Sequence, residues 1–445
     1  MEENYQQQLY REMIEYFYQR FDRYIVGKWY EGELDGPITD DIRKRAYKTL
    51  YGKVKSENVA NRQTIRKWFG IGGKGSTPTR NQILNLVLGL HLSIEEAEEY
   101  LQMGISQPGF QVNDYKEFIL MYCLEHQIGV DGYQRMVEFY ESHCKKDAEW
   151  KHEAHTQWLT DKFAEIKDYG AEDFLVWMYK NQAYFKGYSL TMLRTYQMMI
   201  EECLEYVRSD NREVLMRTLE PTGFYEWALE NGVEKPYEAG DIERFVKNVS
   251  RRKENPLSEV QCREIRSLVS RAYANRDRMS DLITELYSTG LPGPSDRRNS
   301  EIQEALKDEI HRVDGKYLSE LLHTALLKER QMQLQIELSE TPDQLQRKVK
   351  KEELSKLNQR VHLLQRSDVL ILAQYLIYKR ISLRIEEEET RYDAEEAREE
   401  FLLFGNDILE SLGMREINND YLLDHVLLAC FDKEEMYLFA EVLEE

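Results

Sequence analysis

Residues 61–103 read NRQTIRKWFGIGGKGSTPTRNQILNLVLGLHLSIEEAEEYLQM, and this stretch predicts three helices with a glycine-rich loop after the first. Ile65 and Trp68 share one face of the first helix, which Gly70 ends. Apolar residues within 83–90 repeat at the spacing of a second helix. Ser93 and Glu96 form a capping box that opens the third.

Helical periodicity extends over most of the 445 residues, and the two-residue alternation of strands is nearly absent. Only nine prolines and a charged fraction of 32% fit a helix-rich protein. No repeat recurs at a fixed period, so a tetratricopeptide array is not indicated. We therefore expect an all-α fold.

A basic segment lies inside an acidic chain. The net charge is −21, yet residues 42–80 contain eleven lysines and arginines against one acid, Glu57. An acidic protein is repelled on average by a polyanion, so this reversal suggests a surface for a phosphate backbone. The alternative is a solvated helix face balanced by acids elsewhere. A second, less basic stretch runs from Arg244 to Arg278. We expect it to pair with acidic helices rather than to bind nucleic acid.

The first helix of the quoted stretch carries its polar side chains mostly opposite its apolar face. Arg62, Gln63, Arg66 and Lys67 lie there. Such a helix can enter a DNA major groove, where Arg and Gln bind guanine and adenine edges. The sequence therefore predicts a DNA-reading helix.

The run RQTIRKWFG…TPTRNQILNLVLGLHLSIEEAEEYL resembles the phage-repressor or Xre-type helix-turn-helix family over residues 40–105. The resemblance implies that residues 61–69 form the recognition helix, with two scaffold helices within 40–60. The C-terminal sequence RSDVLILAQYLIY is similar to larger helical Firmicutes regulators, which bring no assigned chemistry. The DNA-contacting residues implied by the resemblance are Arg62, Gln63, Thr64, Arg66 and Lys67 toward bases, and Lys74, Thr77 and Arg80 near phosphates.

Punctuation by glycine and proline predicts the domain organisation. A helix-turn-helix domain is followed by an extended multi-helix region, either an α-bundle or solenoid-like. Long helices are expected near 314–338, 343–365, 367–390 and 392–412. The predicted divisions are an N-terminal amphipathic helix (1–38), the helix-turn-helix domain (39–105), a central helical domain (106–288), a linker (289–299) and a C-terminal helical domain (300–445).

Other chemistries are less well supported by the residues. A Walker phosphate loop needs GxxxxGK[ST], but a glycine separates Lys74 from Ser76. A zinc site built from His143, Cys144, His152 and His155 is disfavoured by the charged run between them. No nucleophile elbow or diagnostic carboxylate pair occurs, so we expect no enzyme activity, metal or cofactor.

These observations predict a sequence-specific transcriptional regulator of bacterial type. Its expected partners are double-stranded DNA, a second copy in a homodimer, and a peptide or protein signal. No apolar run reaches the ~20 residues of a membrane span, and five dispersed cysteines fit reduced thiols in a cytoplasmic protein. The alternative is a helical protein-interaction scaffold with a vestigial helix-turn-helix.

Overall fold

Helices form the regular structure of this protein, as the sequence predicts. The computed structural model describes residues 4–30, 36–57, 59–73, 75–143, 156–250, 257–273, 279–287, 301–307, 309–310 and 313–444. No β-strand occurs in these ranges, where an isolated antiparallel bridge joins Phe431 to Met436. None of the helices in the same ranges has both the length and the apolar character needed to cross a membrane. The fold class is all-α.

The N-terminal lobe comprises residues 21–185, and its helices share one core. Because buried residues within 118–185 belong to the same core as those within 46–101, the packing does not divide at the predicted boundary, residue 105. A π-helical turn, Tyr100–Gly104, follows α6. The helices are α2 (Phe21–Trp29), α3 (Asp40–Val54), α4 (Arg62–Trp68), α5 (Arg80–Gly89), α6 (Ile94–Glu99), α7 (Tyr115–Glu125), α8 (Val130–His143), α9 (Thr156–Ile166) and α10 (Ala171–Lys180), preceded by α1 (Tyr5–Glu15).

Side-chain caps determine where the helices around α4 begin. The Asn61 side chain accepts a hydrogen bond of 2.9 Å from the N–H three residues on. Thr79 opens α5 with a capping box, and Ser93 opens α6 with the capping box that the sequence predicts. Gly89 ends α5 so close to Val59 that a Cβ there would lie 2.4 Å from Val59 Cγ2. Glycine is therefore needed for this packing.

The chain before α3 differs from the sequence prediction. The N-terminal amphipathic helix predicted within 1–38 is not continuous over residues 4–30, because residues 16–20 are non-helical and separate α1 from α2. Leu9 and Met13 of α1 pack into a different core from α2, and the Tyr5 ring stacks on Tyr437 at 4.3 Å. The two scaffold helices expected within 40–60 are a single helix, α3. The helix before it in the N-terminal lobe is α2.

The C-terminal lobe is built around α20, whose run from Val369 to Ile377 is buried on all sides. This run is apolar except for Gln374, and packing with surrounding helices explains it. Helix α1 and the first half of α11 (Leu190–Leu219) also pack into the core of this lobe. Around α20 (Arg366–Glu388) lie α15 (Met279–Tyr287), α16 (Glu301–Leu306), α17 (Gly315–Leu322), α21 (Ala394–Ser411), α22 (Leu422–Ala429) and α23 (Phe439–Leu443).

Two smaller units complete the described residues. The second half of the 30-residue helix α11 (Leu190–Leu219) packs with α12 (Phe224–Glu230), α13 (Ala239–Val249) and α14 (Glu259–Tyr273) in a separate core, the central lobe. Helices α18 (Thr324–Glu340) and α19 (Gln344–Asn358) form a hairpin with its own small core. The long helix predicted over 314–338 is thus interrupted at His323. The predicted linker 289–299 lies outside the described residues.

Candidate nucleic-acid interface

Helix α4 has the two-faced character that its sequence predicts. Ile65 is fully buried and Trp68 nearly so, and both belong to the core of the N-terminal lobe. Gly70 follows with a φ of +64°, a left-handed conformation that glycine adopts without strain and that ends the helix. The buried face fixes the rotation of α4 about its axis, so the opposite face is held toward solvent.

The residues predicted to read bases lie on or beside this outer face. Arg62, Gln63 and Lys67 are exposed, whereas Thr64 and Arg66 are half-buried. Among the described residues, Arg62, Arg66 and Lys67 form no ion pair with a carboxylate. Arg and Gln side chains in this arrangement retain donors and acceptors for an external ligand.

Tyr47 of α3 holds one of these side chains in place. Its hydroxyl oxygen accepts a hydrogen bond of 3.1 Å from Arg62 Nε. The Tyr47 ring lies edge-on to Phe69 at 6.3 Å and stacks on Tyr51 at 5.9 Å, which limits its movement. The hydrogen bond to Tyr47 raises the pKa of Arg62. Sequence reasoning missed Tyr47, although its place on the buried face of α3 with Leu50 is a signal that could have found it.

The basic segment is less free than its composition suggests. Arg43 Nε lies 3.1 Å from Asp22, and Lys44 lies 4.0 Å from Asp41. In this part of the segment, the basic charges are therefore balanced by acidic side chains, as the alternative interpretation predicts. Two further cations lie over aromatic rings, Arg45 over Tyr30 at 4.8 Å and Lys53 over Trp29 at 5.7 Å.

Lys48 of α3 and Lys55, which directly follows this helix, remain available beside α4. Lys48 and Lys55 are exposed, and at helical spacing they share a stripe with Tyr51. No ion pair within the described ranges involves either lysine. Because Tyr51 stacks on Tyr47, which bonds Arg62, this stripe adjoins the outer face of α4. We call the surface formed by Lys48, Lys55, Arg62, Gln63, Arg66 and Lys67 the α3–α4 face.

Arg80 was expected near a DNA phosphate, but its side chain is bonded within the N-terminal lobe. Its guanidinium forms a bidentate pair with Glu117, with Nε–Oε1 at 2.8 Å and Nη2–Oε2 at 2.7 Å. It also donates to the carbonyl oxygens of Pro108 and Gly109, each at 2.7 Å. The two charged side chains are 9% and 8% exposed. With its donors engaged inside the lobe, Arg80 is removed from the predicted phosphate contacts.

The glycine-rich loop between α4 and α5 is tied back to α4. Ile71 N–H donates to Arg66 O at 3.1 Å, and Ser76 N–H donates to Lys67 O at 3.0 Å. Thr77 is exposed next to this turn, as a phosphate contact would need to be. The predicted contact Lys74 lies outside the described residues.

Metal-ligating side chains do not cluster in the described part of the chain. There, no group of three or more histidine, cysteine and acidic side chains could hold a metal ion. Of the four candidate zinc ligands, only His143 is described. Cys123, Cys203, Cys262 and Cys430 are free and buried, and burial raises the pKa of Cys123 to about 12.

Comparisons with known proteins find no relative. Neither a protein-family model, nor a curated protein, nor a solved structure matches this chain.

Proposed function

We propose that this protein is a sequence-specific DNA-binding transcriptional regulator that docks on duplex DNA through the α3–α4 face. The observation that carries the proposal is the outer face of α4, where Arg62, Gln63 and Lys67 are exposed on a helix whose other face is locked in the core. This combination of base-reading side chains and fixed orientation suits insertion into a major groove.

The remaining lobes supply the other parts of the proposal. Regulators with a helix-turn-helix pair on two half-sites about one helical turn apart, so a homodimer is expected to bind a palindromic operator. The acidic C-terminal lobe and the central lobe would dimerise and respond to a peptide or protein signal. Four buried free thiols among the described cysteines are compatible with action in a bacterial cytoplasm.

One observation favours the alternative of a protein-interaction scaffold. Seven residues, 55–61, connect α3 to α4, whereas the turn of a helix-turn-helix has three or four. A longer connection changes how α3 would lie across the DNA backbone. Such a domain could retain the helices while using the α3–α4 face to contact an acidic protein.

Salt-dependent DNA binding separates the two functions. Five cations on the α3–α4 face predict that log Kd changes by up to about 4.5 per tenfold change in salt, so affinity drops about 500-fold between about 50 and 200 mM salt. Fluorescence anisotropy of the purified protein with mixed duplex DNA measures this. Absent or salt-insensitive binding would favour the scaffold.

Charge reversal localises the surface. Arg62→Glu/Arg66→Glu should abolish binding, because it places two acids against phosphate. Arg263→Glu/Arg266→Glu is the matched control, since it makes the same charge change on exposed positions of α14 in the central lobe. Equal loss in both variants would indicate a general charge effect and contradict docking through α4. A genome-wide pull-down of DNA with the tagged protein would then identify the operator.

A further inference from the structure

A cleft of about 1150 Å³ lies between the N-terminal and C-terminal lobes. The N-terminal lobe contributes the start of α2, Arg43 of α3 and residues 77–80, which join the glycine-rich loop to α5. The C-terminal lobe contributes residues 361–363, 365–367, 421–423 and Arg415. Residues 16–20, which connect α1 in one lobe to α2 in the other, also line it. A ligand here would contact both lobes.

Two buried guanidinium groups stand on the C-terminal side of the cleft. Arg366 Nη1 and Arg415 Nη1 donate to the two oxygens of Asp424, at 2.5 and 2.8 Å. Arg415 reaches across to the N-terminal lobe, where its Nη2 donates to Ser106 Oγ at 3.2 Å. Two arginines thus share one carboxylate at the junction of the lobes.

Two polar atoms of the lining residues are buried without a hydrogen-bond partner among the described residues. They are the Tyr18 hydroxyl and Arg415 Nε, and the Arg415 residue is only 6% exposed. A buried polar group without a partner loses its hydration without compensation. A bound molecule with hydrogen-bonding oxygens could supply what these two atoms lack.

The acids of the lining do little to offset its arginines. Asp22 pairs with Arg43, and Glu304 pairs with Lys307. Burial raises the pKa of Glu309 to about 7, which reduces the negative charge of this carboxyl near neutral pH. Each of the three acids is therefore neutralised in whole or in part.

The mouth of the cleft combines a cation with aromatic rings. Arg20 is exposed, and no ion pair within the described residues involves it. Tyr16 and Phe17 are 40% and 47% exposed, so part of each ring faces solvent. A guanidinium binds carboxylate or phosphate oxygens in a bidentate manner, while aromatic faces accept flat rings.

We propose that this cleft binds a small ring-bearing organic anion whose carboxylate or phosphate contacts Arg20, Tyr18 and the Arg415 edge. The ring would lie against Tyr16 and Phe17. Such a ligand would bridge the lobes next to residues 77–80. Binding itself requires no DNA, so its test stands apart from the proposed function.

Isothermal titration calorimetry on the full-length protein tests the proposal. Adenosine monophosphate and indole-3-acetate serve as the phosphate and carboxylate probes, with adenosine and indole as the uncharged rings. At least one anion should bind about tenfold or more tightly than its uncharged ring, since guanidinium–oxyanion contacts supply the difference. Whichever anion binds identifies the oxyanion. Failure of both anions to bind would overturn the proposal.

Substitutions locate the site within the cleft. Arg20→Gln and Tyr18→Phe should each weaken anion binding about tenfold without lowering the urea midpoint, because Arg20 is exposed and the Tyr18 hydroxyl has no partner to lose. Arg263→Gln, an exposed arginine of the central lobe, is the matched control and should bind like wild type. Anion binding that survives both cleft substitutions unchanged would place the ligand elsewhere and refute the assignment.

Discussion

Replacing Arg80 distinguishes its structural role from the phosphate contact that the sequence suggested. In Arg80→Ala, the Glu117 carboxylate stays buried without its cation, and the carbonyl oxygens of Pro108 and Gly109 lose their donors. Breaking a buried ion pair by removing one partner costs about 3–5 kcal/mol. An exposed phosphate contact would instead leave the stability within about 0.5 kcal/mol of wild type.

Urea unfolding followed by circular dichroism measures the total loss of stability. Because several lobes can unfold separately, hydrogen exchange of α5 and α7 should be recorded as the local measure. Arg80→Met/Glu117→Leu should recover much of the lost stability, since no uncompensated charge remains buried. Lys67→Ala is the contrasting control: it should leave stability unchanged and reduce the salt slope of DNA binding by about 0.9.

If Arg80→Ala unfolded at the wild-type urea concentration and lowered the salt slope as Lys67→Ala does, Arg80 would be a surface phosphate contact. The buried pair with Glu117 would then not describe the protein in solution.

Three further predictions concern single side chains. Tyr47→Phe removes the hydroxyl that holds Arg62, so it should weaken DNA binding by about tenfold or less. The urea midpoint should stay unchanged. Wild-type affinity for DNA would show that this contact is dispensable. Burial raises the pKa of Glu309 from the ordinary 4.5 to about 7, so the folded state keeps a proton that the unfolded state has lost. Stability should therefore fall by about 3 kcal/mol as the pH rises through this window, and Glu309→Gln should flatten that slope in urea titrations; an unchanged slope would contradict the assignment. Burial alone would raise the pKa of Asp424, but the guanidinium groups of Arg366 and Arg415 outweigh burial and hold the pKa below its usual value. The stability that this carboxylate gives to the folded state is therefore lost as the pH falls. Asp424→Asn should cost about 3–5 kcal/mol in the same assay, and a loss under 1 kcal/mol would count against a buried pair.

Local sequence determines much of the N-terminal lobe because its signals act over a single helical turn. The bounds of α4, its buried face and the Ser93 capping box all follow from spacing and capping residues within a few positions of one another. The break at residues 16–20 was missed because both halves of 4–30 are amphipathic. Their faces pack into different cores, which periodicity does not reveal.

The sequence by itself determined the all-α class, most helix positions and the outward-facing side chains of α4, since helical propensity and periodicity are local properties. Tertiary structure alone decided which charges are available. Arg80 pairs with a carboxylate 37 positions away in the chain, and Arg366 pairs with a carboxylate 58 positions away. A count of charged residues in the sequence therefore includes charges that packing buries in the interior. Tertiary packing also placed α1 in the C-terminal lobe and created the cleft between lobes, because both depend on contacts between segments far apart in the chain.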